Sequence, residues 1–189
     1  GYLAGTQTEL RSGDNLSYGT TFSYNGDRYG VQADRLVVEP NFLPEIGFIR
    51  RTDMQRNFGQ LRYSPRPANV PHVRKLTMQG GFTYLTNTLG RLDTRESTAL
   101  FQTEFINTDV IGVSYTDLFD RLVRPFDVST SIRIPVGAYD MHTLQVSYAA
   151  GQQRKVSGTL LYETGTYYGG TRQSVSLSSA RVEVTPRIS

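Results

Sequence analysis

Residues 16–24, LSYGTTFSY, set Leu16, Tyr18, Phe22 and Tyr24 at alternating positions, with Ser17, Gly19, Thr21 and Ser23 between them. Successive side chains of a strand point to opposite faces, so this period of two predicts a strand with one apolar face and one small polar face. The same alternation sets Met78, Gly80, Phe82 and Tyr84 against Thr77, Gln79, Gly81 and Thr83, and Ala99, Phe101, Thr103 and Phe105 against Thr98, Leu100, Gln102 and Glu104. Ile111, Val113 and Tyr115 oppose Gly112, Ser114 and Thr116; Leu144, Val146 and Tyr148 oppose Thr143, Gln145 and Ser147. Val156, Leu160 and Tyr162 oppose Lys155, Ser157, Thr159 and Glu163, and Val175 and Leu177 oppose Ser174, Ser176 and Ser178. The chain therefore reads as roughly eleven strands of about ten residues, and no helical i, i+3, i+4 spacing persists beyond a turn.

The connections carry a second pattern. Asn25-Gly26 is a two-residue hairpin signal, and Asn107-Thr108 and Ala150 to Gln153 predict further short turns. Longer pieces lie at 38–56, 86–95, 119–138 and 165–171, while SPRPANVPH (64–72) is the longest of the even-numbered connections. An antiparallel meander gathers its odd connections at one end and its even ones at the other. Long loops at one end and tight turns at the other is the layout of an outer-membrane barrel.

Composition agrees with a β-rich chain. Hydrophobic residues make up only 38%, yet there are 12 Tyr, 9 Phe and 18 Gly, a mixture suited to pleated, half-exposed surfaces. The mean hydropathy is −0.38. Cysteine is absent, which excludes disulfides, thiolate nucleophiles and Cys-based metal sites. Twenty Lys and Arg against 17 Asp and Glu leave a net charge of +3, scattered without a basic cluster, so nucleic acid is not an expected partner. No apolar run approaches the roughly 18 residues of a membrane-spanning helix, and GYLAGTQTEL lacks a basic region followed by an apolar one. Residues 1–189 read as one β-barrel segment, truncated at both ends and completed by strands outside it.

A soluble β-sandwich would alternate in the same way, because one face of each sheet packs inward and the other meets water. Three features favour the membrane. Strands near ten residues match a tilted bilayer crossing, the polar faces are rich in Gly, Ser, Thr and Gln, and aromatics recur near strand ends where hydrocarbon meets headgroups. Lipid cannot satisfy backbone polar groups, so such strands must be paired on both sides, with outer-membrane lipid as the partner of the apolar face.

Two motifs interrupt the alternation. NFLPEIGFIRRTD supplies Asn41, Phe42, Pro44, Glu45, Gly47, Phe48, Arg50 and Arg51; LVRPFDVSTSIRIPVGAYDMH supplies Pro125, Phe126, Ile134, Pro135, Gly137 and Tyr139. With FGQLRYSPRP and GTLLYETGTYYGGTRQSVSLS, these motifs over residues 27–189 resemble the C-terminal region of a bacterial domain-of-unknown-function family. In that family a module similar to the ninth carbohydrate-binding family precedes an outer-membrane β-barrel. The resemblance implies a bacterial outer-membrane location and a link to surface glycan through that N-terminal module. It implies no catalytic or sugar-binding residue on this chain.

Candidate chemistry is sparse. Glu45, Arg50, Arg51 and Asp53 form a charged group on the first motif, suited to a gate or docking surface, or else to a solvated loop touching its neighbours; Phe42, Ile46 and Phe48 suggest that the loop packs against something. His142 shares the phase of Leu144, Val146 and Tyr148, which places it outward at the rim. A lipase-like site would need a hydroxyl beside it, supplied from another strand. Asp34, Glu104 and Glu163 are the candidate lumen residues. They could work as a carboxylate pair for glycoside hydrolysis if two stood about 5–10 Å apart. The other reading pairs them with Arg28, Arg62 or Lys155 in a polar interior. GTYYGGTR has glycines but no phosphate-loop lysine and reads as a flexible turn with aromatic girdle residues. No metal or cofactor is expected. The function that follows is a pore, conduit or membrane anchor, with an outer-membrane hydrolase and a soluble binding module as alternatives.

Overall fold

The computed structural model describes residues 1–7, 13–44, 51–129 and 132–182. It is all-β. Ten strands form one antiparallel meander in chain order: β1 (Tyr2–Gly5), β2 (Leu16–Asn25), β3 (Tyr29–Val38), β4 (Met54–Tyr63), β5 (Val73–Thr86), β6 (Leu92–Phe105), β7 (Val110–Leu122), β10 (Gly137–Ala150), β11 (Val156–Tyr167) and β12 (Gly170–Val182). The connection between β7 and β10 carries a separate two-stranded hairpin, β8 (Phe126–Ser129) and β9 (Ile132–Ile134). Among the described residues β1 and β12 are the two edges of the sheet.

The register makes the alternation continuous from strand to strand. Thr21 pairs with Asp34, Asp34 with Phe58 and Phe58 with Thr83; Phe22 pairs with Ala33, Ala33 with Gly59 and Gly59 with Phe82. Directly opposed residues share a face. One face of the sheet therefore carries most of the Ser, Thr and Gln positions with Asp34, Glu104 and Glu163, and the other most of the aromatic and branched ones, with Asp117 and His142 near its loop end.

A sandwich would bury that apolar face. Here it stays open: Phe22 is 60% exposed, Leu61 64% and Val175 69%. The only buried hydrophobic side chains among the described residues are Val37, Val38, Phe42 and Met141, all near one end of the sheet. Stabilisation comes from the hydrogen-bonded ladders and cross-strand pairs, such as Tyr29 stacked on Tyr63 at 5.3 Å.

At the turn end lie connections 26–28, 64–72, 106–109 and 151–155. Asn25 remains in the ladder opposite Gly30, so the expected two-residue Asn-Gly loop is instead 26–28, closed by the Gly26 amide donating to the Tyr29 carbonyl at 2.9 Å. At the loop end lie 6–15, 39–53, 87–91, 123–136 and 168–169. Two of the expected long pieces are thus tight turns. In 165–171 the ladder runs on to Tyr167 opposite Gly170, and Tyr168 (φ 45°) with Gly169 (φ 83°) supply two left-handed residues, the backbone of a type I′ hairpin.

Candidate membrane and lumen surfaces

The apolar face forms a band that runs obliquely to the strands. Tyr24 is its turn-side limit on β2. The register leads from Tyr24 through Val31, Leu61, Gly80, Ala99, Tyr115 and Leu144 to Thr164 and Gln173. Those last two already lie on the loop side of Tyr162 and Val175, where the band sits on β11 and β12. The band's centre moves by about seven residues over the eight strand steps from β2 to β12, which at ~3.3 Å per residue and ~4.8 Å between strands is an angle of roughly 30°. Tyr18, Tyr84, Tyr115 and Tyr162 follow its loop-side edge; Tyr24, Tyr29, Tyr63 and Tyr148 follow its turn-side edge.

On the polar face each expected lumen carboxylate meets an arginine. Asp34 accepts from Arg56 at 2.7 Å and from the Thr21 hydroxyl at 2.8 Å. Glu104 pairs with Arg74 at 3.1 Å and Glu163 with Arg172 at 2.9 Å. The partners differ from the expected Arg28, Arg62 and Lys155. Arg62 is unavailable because its terminal nitrogens donate to Asn25 Oδ1 (2.7 Å), the Gly26 carbonyl (2.6 Å), Ser64 Oγ (2.8 Å) and the Asp27 carbonyl (3.3 Å). A Cβ on Gly30 would stand 3.0 Å from Arg62 Nε, so the glycine leaves room for this strap across the turn. Glu104 and Glu163 lie three strands apart, roughly 14 Å along the sheet at ~4.8 Å per strand, with a further offset along the strands. They do not form the close pair that glycoside hydrolysis requires.

His142 lies on the apolar face of the sheet, in phase with Leu144, Val146 and Tyr148. Its Nδ1 lies 2.9 Å from Asp117 and 3.2 Å from the Tyr115 hydroxyl. Asp117 stands opposite both Ser97 and His142, which puts the carboxylate between the serine and the imidazole. A nucleophile–base contact cannot form in that order. On the other side, the Thr166 hydroxyl accepts the His142 backbone N–H at 2.9 Å.

The motifs act at the loop end. In the first, the Asn41 amide and side chain donate to the Asp14 and Gly13 carbonyls, both at 2.9 Å, and Phe42 is buried. Arg51 pairs with the buried Asp93, and Asp53 accepts from the Thr88 amide at 3.0 Å and from its hydroxyl. Hydrogen bonds from the Thr88 hydroxyl, then its amide, hold the Asp53 carboxyl below its usual range. Arg51 and Asp53 therefore tie this loop to Asp93, at the start of β6, and to Thr88, in the 87–91 connection. Pro44 ends the described part of the motif, and Glu45, Ile46, Gly47, Phe48 and Arg50 lie outside the described residues.

In the second motif Tyr139 and Phe126 meet the Tyr168 ring edge-on, at 5.1 and 5.2 Å, and the Tyr139 hydroxyl donates to the Pro135 carbonyl at 2.8 Å. The Tyr168 hydroxyl donates to Asp120 at 2.9 Å; burial, followed by that carboxylate, raises the phenol to about 12. Asp120 is opposite Tyr139 on the polar face, with Thr94 on its other oxygen at 3.1 Å. Phe126 thus packs the β8–β9 hairpin against the polar-face side of the rim. Pro125 and Gly137 flank the hairpin, and Ile134 pairs with Phe126 within it.

One cluster escaped the sequence reading. Asp109, in the 106–109 turn, accepts from Arg154 Nε at 2.9 Å, the Gly151 amide at 2.8 Å and the Tyr148 hydroxyl at 3.1 Å, joining two neighbouring turns. The only local signal was Asn107-Thr108-Asp109, in which the Asp109 amide donates to Asn107 Oδ1 at 3.1 Å. Compared with protein-family models, curated proteins and solved structures, the chain matches none.

Proposed function

We propose that this chain is the transmembrane barrel, or a large part of one, of a bacterial outer-membrane protein, serving as a pore, conduit or membrane anchor. The observation that carries this reading is the exposed, oblique apolar band edged by tyrosines on a single-layer sheet. Water would penalise such a surface at about 25 cal/mol per Å² of apolar area left uncovered, whereas hydrocarbon covers it without a second protein layer. Its slope to the strands is near the 35–45° tilt of membrane barrels. The opposite face, with Ser, Thr, Gln and arginine-paired carboxylates, suits a water-filled or polar interior. Loops 39–53 and 123–136 then belong to the outer surface, and connections 26–28, 64–72, 106–109 and 151–155 to the periplasm. A connection to surface glycan enters through the resemblance of the two motifs.

The test is fractionation followed by gel migration. Extracted from outer membranes in detergent, the unboiled protein should migrate differently from the boiled sample, as a detergent-resistant barrel does. Recovery in the soluble fraction, with one mobility before and after boiling, would sink the proposal.

A further inference from the structure

We infer that the polar face carries a binding site for a neutral glycan, centred on Phe58 and a belt of glutamines; this rests on the barrel reading. Gln32 is directly opposite Gln60; Gln79 lies two residues nearer the turn end than Gly81, the partner of Gln60, and Gln102 two residues nearer it than Leu100, the partner of Gln79. This drift runs in the same direction as the apolar band on the other face. In a barrel of that tilt the four amides therefore stand at about one height, on four consecutive strands.

None of these four side chains makes a hydrogen bond among the described residues. A cavity of about 230 Å³ opens between Ser23, Asn25, Gln32, Gln60, Arg62 and Gln79. Gly30 also lines this cavity. Phe58 sits beside Gln60 on the same face. It is the one aromatic that β2 to β7 turn to that side, where nothing in the strand's own polar pattern calls for one.

The ligand class follows from the donors. A carboxamide offers both a donor and an acceptor, the complement of a sugar hydroxyl, and an aromatic ring covers the C–H face of a pyranose. Charge is already satisfied here. Arg62 is engaged by the turn and Asp34 by Arg56, so the belt selects no ion. An uncharged polyhydroxylated chain is what such a surface takes. The belt spans several strands, which suits more than one sugar ring.

The experiment uses the full-length protein in detergent micelles, with heat-dependent gel migration as the check on its fold. Maltohexaose and cellohexaose are titrated while the side-chain amide resonances of glutamine are followed by NMR. The expected result is saturable shifts of the Gln32, Gln60, Gln79 and Gln102 amides, with affinity about tenfold weaker in Phe58→Ala and in Gln79→Ala. A barrel that migrates as expected but shows no saturable shift with either glycan overturns the site and leaves the barrel reading standing. Equal affinity in both variants, or preferential binding of a sulfated oligosaccharide or a neutral Gly-Ser hexapeptide, overturns it also. Loss of the migration difference overturns both readings together.

Discussion

Asp109 shows how one side chain can organise the turn end. Its two oxygens take the guanidinium of Arg154, the Gly151 amide and the Tyr148 hydroxyl, and these bonds, that from Arg154 foremost, hold its carboxyl at about 2. A folded-state value below the ~3.9 of an unfolded aspartate means stabilisation that is fully present above that pH and is lost as pH falls through about 2. Asp109→Asn should therefore lower the urea midpoint of the micelle-bound protein at pH 7, and the gap from wild type should close as the pH approaches 2. A gap of unchanged size at pH 2 would show that the carboxylate's charge is not what joins the turns. Gly30 matters for a different reason: side-chain room for the Arg62 guanidinium, not backbone freedom, is what a Gly30→Val change would remove.

The β8–β9 hairpin is held by aromatic edges rather than by a ladder to the main sheet, since it forms a sheet of its own. Tyr168 is its common contact, linking Phe126, Tyr139 and Asp120. Tyr168→Phe should keep the ring contacts and lose about 0.5–1 kcal/mol with the hydrogen bond. Tyr168→Ala should lose both and free the hairpin, seen as faster tryptic cleavage after Arg133, the Arg124 bond being closed to trypsin by Pro125. Cleavage at the wild-type rate in the alanine variant would mean that the hairpin is held elsewhere. Gly169, at φ 83°, makes a separate demand, and Gly169→Val should cost roughly 1–2 kcal/mol by forcing a branched residue into the left-handed region. These elements also mark the limit of what the residue pattern disclosed. The phase of each strand was readable because a period of two is local, and Asp34, Glu104, Glu163 and His142 all fall on their expected faces. Their partners were not, because Arg56, Arg74, Arg172 and Asp117 are brought close only by the register between strands. In GTYYGGTR the tyrosines and glycines suggested a flexible loop, but a type I′ turn needs only two left-handed residues, and Tyr168 takes one of those positions despite its side chain.

At the scale of the whole molecule, the two faces should respond oppositely to the same substitution. Leu61 lies within the apolar band and is largely exposed, while Thr98, on the next strand but one, lies on the polar face. If hydrocarbon covers the band, Leu61→Arg should cost about 2–4 kcal/mol in lipid vesicles, as cations near the middle of a bilayer do, and Thr98→Arg should cost less than about 1 kcal/mol. The penalty should also follow the slope of the band. Val146→Arg, two residues nearer the turn end than Leu144 but within the band on β10, should be as costly as Leu61→Arg. Gln173→Arg, in register with Tyr24 yet beyond the band on β12, should be mild. Urea unfolding in vesicles measures all four. A sheet whose strands ran straight through the bilayer would instead make the cost depend on register alone, with Gln173→Arg ranking beside Leu61→Arg; that ranking would refute the tilt. Equal costs on both faces would remove the membrane from the account, because only a one-sided solvent of hydrocarbon distinguishes Leu61 from Thr98 on a sheet one strand layer thick.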